Sequence, residues 1–451
     1  MLIRFSVKNF RSFDEEVLFS LIPGRSQKHQ HHVQQQHSVD FKVLRMALLY
    51  GANASGKSNL VRAMEFARDL ILEGTRPKQL IDVQPFRLRA KSDDTPSRFE
   101  FEFIAGGKAY AYGFIIDRRK VHEEWLYNIH LESEQEEIIF ERTTSREGMT
   151  QATFTETFAA NLDEQFLHFV ARGTRPNQLL FTELIENNVS YLDPIDRWFR
   201  HSLTIIFPHS HFNGIEINVH ADQEFSQALA QFLHSLHTGI DEVRLQRVEI
   251  ESLDLPQELI EKVSTELEEV EQPENETPQE IIVVLEAPGQ RRFMLQRTSD
   301  SGIESYSLAT VRHVDGSEVV FETSEESDGT QRLFDLFPVL HSSEDKVFVI
   351  DELERSLHPN LVHRFIETFL GSKGNNQLIV TTHESTLLDL SLLRRDEIWF
   401  VEKSPDGAST LYSLEEYKIR HDLDIRKGYL QGRFGAIPVF GSSLIREDQE
   451  E

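Results

Sequence analysis

The 451-residue sequence has no cysteine, which excludes disulfides, thiolate metal sites and cysteine nucleophiles. No apolar run approaches the roughly 18 residues of a membrane helix. The opening MLIRFSVKNF places Arg4 and Lys8 inside a strand pattern, unlike a signal or transit peptide, so a cytoplasmic protein without membrane contact is expected. Positive charge is also scarce, with 47 Lys plus Arg against 75 Asp plus Glu and a net charge of −28. Such a chain repels nucleic acid unless it carries a local basic surface. Much of the excess is local, since residues 249–280 hold twelve carboxylates and a single cation, Lys262. Internal repeats and sustained heptads are missing too, which excludes solenoids and long coiled coils.

What is present centres on LRMALLYGANASGKSNLVR, residues 44–62. Gly51, Gly56, Lys57 and Ser58 occupy the fixed positions of the phosphate-loop pattern. Before them, Met46 to Tyr50 is a short apolar run, and after them apolar residues recur at spacings of three and four. The context is therefore strand, loop, helix. In such a turn the backbone N–H groups and helix N-terminus surround phosphates, the lysine reaches the β- and γ-phosphates and the hydroxyl ligates Mg²⁺. The candidate nucleotide contacts are Asn53, Ala54, Ser55, Gly56, Lys57, Ser58 and Asn59.

Other segments sort by period. Alternation over residues 3–7 and 17–21, with Asn9 to Phe13 as the turn, predicts two paired strands. KHQHHVQQQH follows; His29, His31, His32 and His37 lack helical ligand spacing and flanking carboxylates, so a solvated loop is expected rather than a metal site. Residues 98–142 read as a β-meander with a Gly106-Gly107 turn, and residues 160–240 as mostly helical. The acidic segment, with Pro256, Pro273 and Pro278, reads as a solvated helix between linkers, followed by the strand patterns IIVVLEA and RRFMLQR.

The last third returns to α/β texture. Lys346 to Ile350 is an apolar strand ending in Asp351 and Glu352, where one carboxylate can hold Mg²⁺ and the other polarise the attacking water. Upstream, Ser327-Asp328-Gly329-Thr330 opens an apolar helix, a second anion-binding element. Downstream, Gln377 to Thr382 is a buried-strand pattern that ends at His383, a γ-phosphate donor by position.

This order of phosphate loop, Ser-x-Gly-x loop, Asp-Glu strand, Ser356-Leu357-His358-Pro359 and histidine resembles the ABC-type ATPases, in their SMC and RecF-like branch. NFRSF with YGANASGKSNL, ESDGTQRL ahead of VIDELERSLHP, and the later DEIWFVEK and KGYLQGRFGAIP are similar to bacterial ATPases of abortive-infection systems. These are the relatives of the overcoming-lysogenisation-defect and AbiL/RloA-type proteins. The resemblance implies an α/β ABC-ATPase head, a P-loop mixed sheet with flanking helices and an antiparallel β lobe, composed of residues 1–75 and 300–451. A globular α+β insert, 76–299, stands in place of a coiled coil and serves as a lid or interaction region.

It further implies ATP and Mg²⁺ as cofactors, metal ligation by Ser58 and Asp351, and catalytic roles for Glu352 and His383. Ser327 and Gly329 would contact the nucleotide of a second subunit in a homodimer or higher oligomer, and Arg11 would lie near the nucleotide. Asp328 and Thr330 depart from the commoner Ser-Gly-Gly-Gln/Glu form of the signature, and Asp328 must point away from a triphosphate. Gln84, in VQPF, could serve as the metal-sensing glutamine of cassette heads, but a plain loop glutamine is the better reading. With about 70 residues after His383, a fused nuclease domain is not expected. The expected function is therefore an ATPase that senses a phage-derived trigger and controls a separate effector, a nuclease. The alternative is a RecF-like ATPase acting on DNA through Arg420, Arg426, Lys427 and Arg433.

Overall fold

The computed structural model describes residues 1–437 apart from 37, 90–94, 132, 134, 161, 211, 213, 251–254, 270–280, 288–290, 299–301, 343–344 and 419–423. The chain divides into two compact units, one formed by Met1–Pro208, Ser342–Glu354 and Val362–Glu451, the other by His209–His341 and Arg355–Leu361.

The first unit holds two large sheets. Its antiparallel sheet has seven strands in the order Thr150–Phe154, Gln135–Thr144, Val121–His130, Lys108–Ile116, Ser97–Ala105, Leu2–Lys8 and Val17–Ser20. RFEFEF shows why it forms: Phe99, Phe101 and Phe103 are buried while Arg98, Glu100 and Glu102 are partly exposed, so each alternate side chain faces the core. The second sheet has the order Leu203–Ile206, Val347–Ile350, Gln377–Thr382, Met46–Tyr50, Ile398–Lys403 and Ser409–Ser413. It is parallel except for the last strand. Its central strands are buried at every residue, as expected of parallel strands covered on both faces.

The helix Lys57–Glu73 buries Leu60, Val61, Ala63, Met64, Ala67, Leu70 and Ile71, a single face at helical spacing. These residues share one core with the phenylalanines of the antiparallel sheet. Phe103 stacks on Trp198 at 4.2 Å between ring centroids and meets Phe199 edge-on at 5.2 Å. Phe103→Ala removes these contacts and leaves a cavity, at an expected cost of about 3–5 kcal/mol. A thermal or urea unfolding curve for the variant checks this, and an unchanged midpoint would contradict the assigned packing.

The second unit is α+β. The long strand Gly302–Val314 pairs along one edge with Glu242–Val248 and shares its other edge between Arg291–Thr298 and Ser317–Glu322, with Ile281–Ala287 beyond. The helices Gln223–Ser235 and Asp328–His341 contribute Leu229, Leu233, Leu333 and Phe337 to its core.

The expected fold class is present: a P-loop mixed sheet, an antiparallel β lobe, flanking helices, and no coiled coil among the described residues. The division of the chain differs from the expected one. The 76–299 region is not a single insert, because the meander Ser97–Phe154 hydrogen-bonds through Ser97–Ala105 to the N-terminal strand Leu2–Lys8, and the break falls at Pro208. Residues 203–206, expected within helical sequence, form the edge strand Leu203–Ile206. Gln257–Glu269 is helical as expected, while 251–254 and 270–280 of the acidic segment lie outside the described residues.

The histidine-rich segment also differs from the expected solvated loop. It contains a turn, Gln30–His32, and a strand, Val33–Gln36, paired with Phe41–Leu44. His32 is 1% exposed, with Nδ1 2.9 Å from Glu397 Oε1. Burial holds the His32 imidazole down to about 3 and pushes the Glu397 carboxyl up to about 8, so the contact is a hydrogen bond without full charge separation. His37 lies outside the described residues.

Candidate nucleotide site

Parallel sheets present their loops, and hence their ligands, at the carboxyl ends of the strands. Here three adjacent strands deliver the candidate residues to that edge: Val347–Ile350 leads into Asp351 and Glu352, Gln377–Thr382 into His383, and Met46–Tyr50 into the phosphate loop.

The loop geometry demands its glycines. A Cβ at Gly51 would overlap the Val401 carbonyl oxygen, and Gly56, at φ +116°, would bring a Cβ within 2.7 Å of Ser12 Oγ. Ala54 also takes a left-handed conformation, φ 61°. Lys57 begins the helix, and its buried Nζ donates to the carbonyls of Gly51 at 2.8 Å and Ala52 at 3.2 Å. Burial lowers the Lys57 ammonium to about 8, opposed by the carboxylates of Glu354, Asp351 and Glu352.

Across from the loop, Ser58 Oγ donates to Asp351 Oδ1 at 3.0 Å, and Thr381 Oγ1 donates to the same oxygen at 2.6 Å. Thr381 Oγ1 in turn accepts the Glu352 N–H at 2.9 Å, so one hydroxyl fixes both carboxylate-bearing residues. Glu352 has φ 49°, a left-handed backbone that is uncommon outside glycine and concentrates at functional sites. Its side chain is partly exposed. The His383 N–H donates to Glu354 Oε1 at 2.6 Å, and His383 Nδ1 lies 3.5 Å from Lys57 Nζ. Burial, with Lys57 beside it, lowers the pKa of His383, which favours a neutral imidazole.

Three segments far apart in sequence thus meet at one sheet edge in two hydrogen-bonded groups, Ser58 with Asp351, Thr381 and the Glu352 backbone, and Lys57 with His383 and Glu354. A hydroxyl and a carboxylate 3.0 Å apart at the end of a phosphate loop are the oxygen donors that Mg²⁺ prefers, so this chain's residues fit the cofactors the motifs imply. Asn53 is exposed at the loop tip, Ser55 is buried, and Asn59 Nδ2 donates to Ser12 Oγ at 2.8 Å.

Arg11 is not brought onto the loop. It lines a cavity of about 300 Å³ with Arg62, Glu65, Asp69 and Asp82, and its N–H donates to the Gln84 carbonyl at 2.7 Å. Its neighbour Ser12 is the residue that meets the loop. Four contributors escaped sequence reasoning: Ser12, Glu354, Thr381 and Ser409, whose Oγ donates to the Ser55 carbonyl at 2.5 Å and whose N–H donates to the Ser12 carbonyl at 2.7 Å. Only Thr381 left a trace, as one of two polar residues closing an apolar strand.

In the second unit, Ser327 caps the helix Asp328–His341: its Oγ accepts the Thr330 N–H at 3.2 Å and lies 2.9 Å from Thr330 Oγ1. Ser327 and Asp328 are both exposed. The preceding Glu326 is clamped by Arg312, at 2.7 and 2.8 Å, and by Thr310 at 2.5 Å. A Cβ at Gly329 would come within 2.7 Å of the Ser356 carbonyl oxygen, so glycine is required there by this chain's own packing.

Among solved structures the chain is similar to the SMC head domain from Thermotoga maritima, at 14% identity and a TM-score of 0.37 over 91% of this chain and 98% of that one. It is also similar to an Smc head bound to the C-terminal winged-helix domain of ScpA, at 13% identity and 0.39 over 91% and 97%. A third is an Smc head with an extended coiled coil bound to a ScpA domain derived from Pyrococcus furiosus, at 12% identity and 0.33 over 96% and 98%. No curated protein matches the chain. The profile of the family described as "AAA domain, putative AbiEii toxin, Type IV TA system" matches residues 46–389, from the phosphate-loop strand to beyond His383, and the chain belongs to that family.

Proposed function

We propose that this protein is a Mg²⁺-dependent ATPase that closes as a dimer around ATP and acts as the sensor and regulatory subunit of an anti-phage system, controlling a separate nuclease effector. The observation that carries the ATPase reading is the cluster in which Ser58 and Thr381 hold one oxygen of Asp351 while Lys57 lies buried under the loop. Lys57 exchanges its loop carbonyls for phosphate oxygens, and the loop N–H groups bind the rest of the chain of phosphates. Ser58 and Asp351 hold Mg²⁺, which when bound neutralises charge on the β- and γ-phosphates. Glu352 takes the proton of the attacking water, and His383, neutral beside Lys57, donates toward the γ-phosphate.

The defence role rests on the motif resemblance and on the family's link to toxin–antitoxin systems. The DNA-acting alternative needs a basic surface; Arg426, Lys427 and Arg433 are exposed, and Arg420 lies outside the described residues. Stimulation of hydrolysis by DNA, lost steeply with added salt, would favour that alternative, whereas co-purification of a genomic neighbour favours the effector reading.

Ser327 tests the dimer better than Gly329, whose substitution would disturb the adjacent Ser356 carbonyl. Ser327→Arg on the exposed loop should leave ATP binding intact and stop hydrolysis, because the loop completes the partner's site. Mixing it with Lys57→Ala puts both lesions in one composite site and leaves the other whole, so up to about half the activity returns if the sites fire independently. Full hydrolysis by Ser327→Arg alone would reject the sandwich.

A further inference from the structure

We propose that His29, His31 and His32 form a binding site for one divalent transition metal of the zinc class, braced by Glu397. The potential ligand nitrogens of the three side chains all lie within 4.8 Å of one another. Two of the rings each have one nitrogen engaged by an oxygen, and His29, stacked on His32 at 5.0 Å between centroids, turns about its side-chain bonds to bring its other nitrogen to a shared ion. His32 Nδ1 meets Glu397 Oε1 at 2.9 Å and Oε2 at 3.1 Å; with Glu397 ionised, Nδ1 carries the proton between them and Nε2 is the ligand atom. His29 Nε2 meets the Leu390 carbonyl at 3.1 Å; a carbonyl only accepts, so this nitrogen carries the proton and Nδ1 keeps its lone pair. A carboxylate or carbonyl behind each imidazole fixes its tautomer and raises its basicity as a ligand.

The loop carrying them is also anchored. The His32 N–H donates to the His29 carbonyl at 2.9 Å, the Arg45 N–H to the His32 carbonyl at 2.8 Å, and Arg394 to the Lys28 carbonyl at 2.7 Å. His29 takes φ 48°, a left-handed conformation that bends the chain so that residues 29, 31 and 32 can converge. Nearby charge is mixed. Arg394 is paired with Asp396 at 2.6 Å and Arg45 is bonded to the Ser372 carbonyl at 2.8 Å, while Glu397 sits directly on His32. The rings line a cavity of about 550 Å³ together with Glu367, Thr368 and Ser391, which leaves room for a fourth ligand such as water.

Three imidazoles without a thiolate select zinc, cobalt, nickel or copper over the oxygen-seeking Mg²⁺ of a nucleotide site. The test uses the untagged full-length chain, stripped with chelator and titrated with Zn²⁺ by calorimetry and with Co²⁺ by visible absorption. One equivalent of Zn²⁺ should bind in the presence of excess Mg²⁺, and Co²⁺ should give the d–d bands of imidazole ligation. His29→Ala with His31→Ala should abolish both while ATP binding, read in parallel, persists as a control for folding; buried His32 is left in place. Glu397→Gln should weaken Zn²⁺ by roughly 10- to 100-fold, and unchanged affinity would remove Glu397 from the site. Absence of stoichiometric Zn²⁺ binding, or the same binding in the double variant, would overturn the proposal.

Discussion

Lys57→Ala is expected to weaken ATP binding on the order of 100-fold or more. Charge-assisted hydrogen bonds of this kind contribute about 1.5–3 kcal/mol each, with tenfold in affinity per 1.4 kcal/mol, and on the proposed reading Lys57 makes them to two phosphates. The substitution has a second cost, because Lys57 Nζ also bonds the Gly51 and Ala52 carbonyls and so holds the loop closed before nucleotide arrives. Lys57→Met keeps the aliphatic stem and should lose ATP to a similar extent, which separates lost charge from lost packing. A calorimetric titration of ATP against both variants is the measurement, and wild-type affinity in either would remove the phosphate loop from the function.

Glu352→Gln should do the opposite: retain ATP and lose turnover by roughly 100- to 10,000-fold, the range attributed to a positioned general base. The amide cannot take up the proton of water, yet Asp351 keeps its bonds to Ser58 and Thr381, so Mg²⁺ ligation survives. The Glu352 N–H donates to Thr381 Oγ1 through the backbone, and this anchor is unaffected by the side-chain change. Single-turnover hydrolysis and sizing of the ATP-bound variant read both halves of the expectation. Trapped ATP should hold the dimer together, and undiminished turnover would transfer the base to another carboxylate such as Asp351 or Glu354, whose Oε1 accepts the His383 N–H.

The phosphate loop, the Asp351-Glu352 pair and the strand ending at His383 were legible in the sequence because each is a local device. A glycine-rich turn after a buried strand has few alternative conformations, and apolar runs covered on both faces leave continuous patterns. The phenylalanine alternation at residues 99–103 was legible for the same reason, since period two fixes which side chains enter a core.

The tertiary structure decided what depends on neighbours far along the chain. Leu203–Ile206 is too short to declare itself, and becomes a strand only because Val347–Ile350 offers it an edge. The meander looked like an insertion until its pairing with Leu2–Lys8 made it part of the first unit's sheet. Thr381 and Ser409 are ordinary strand residues until the sheet order sets them beside Asp351 and Ser55. The histidines have no flanking carboxylate in the sequence because the one that meets His32, Glu397, lies 365 positions away. A residue sequence fixes local backbone preference and periodicity, whereas the partner of a buried polar group is chosen by strand order and close packing, which the whole chain must fold to define.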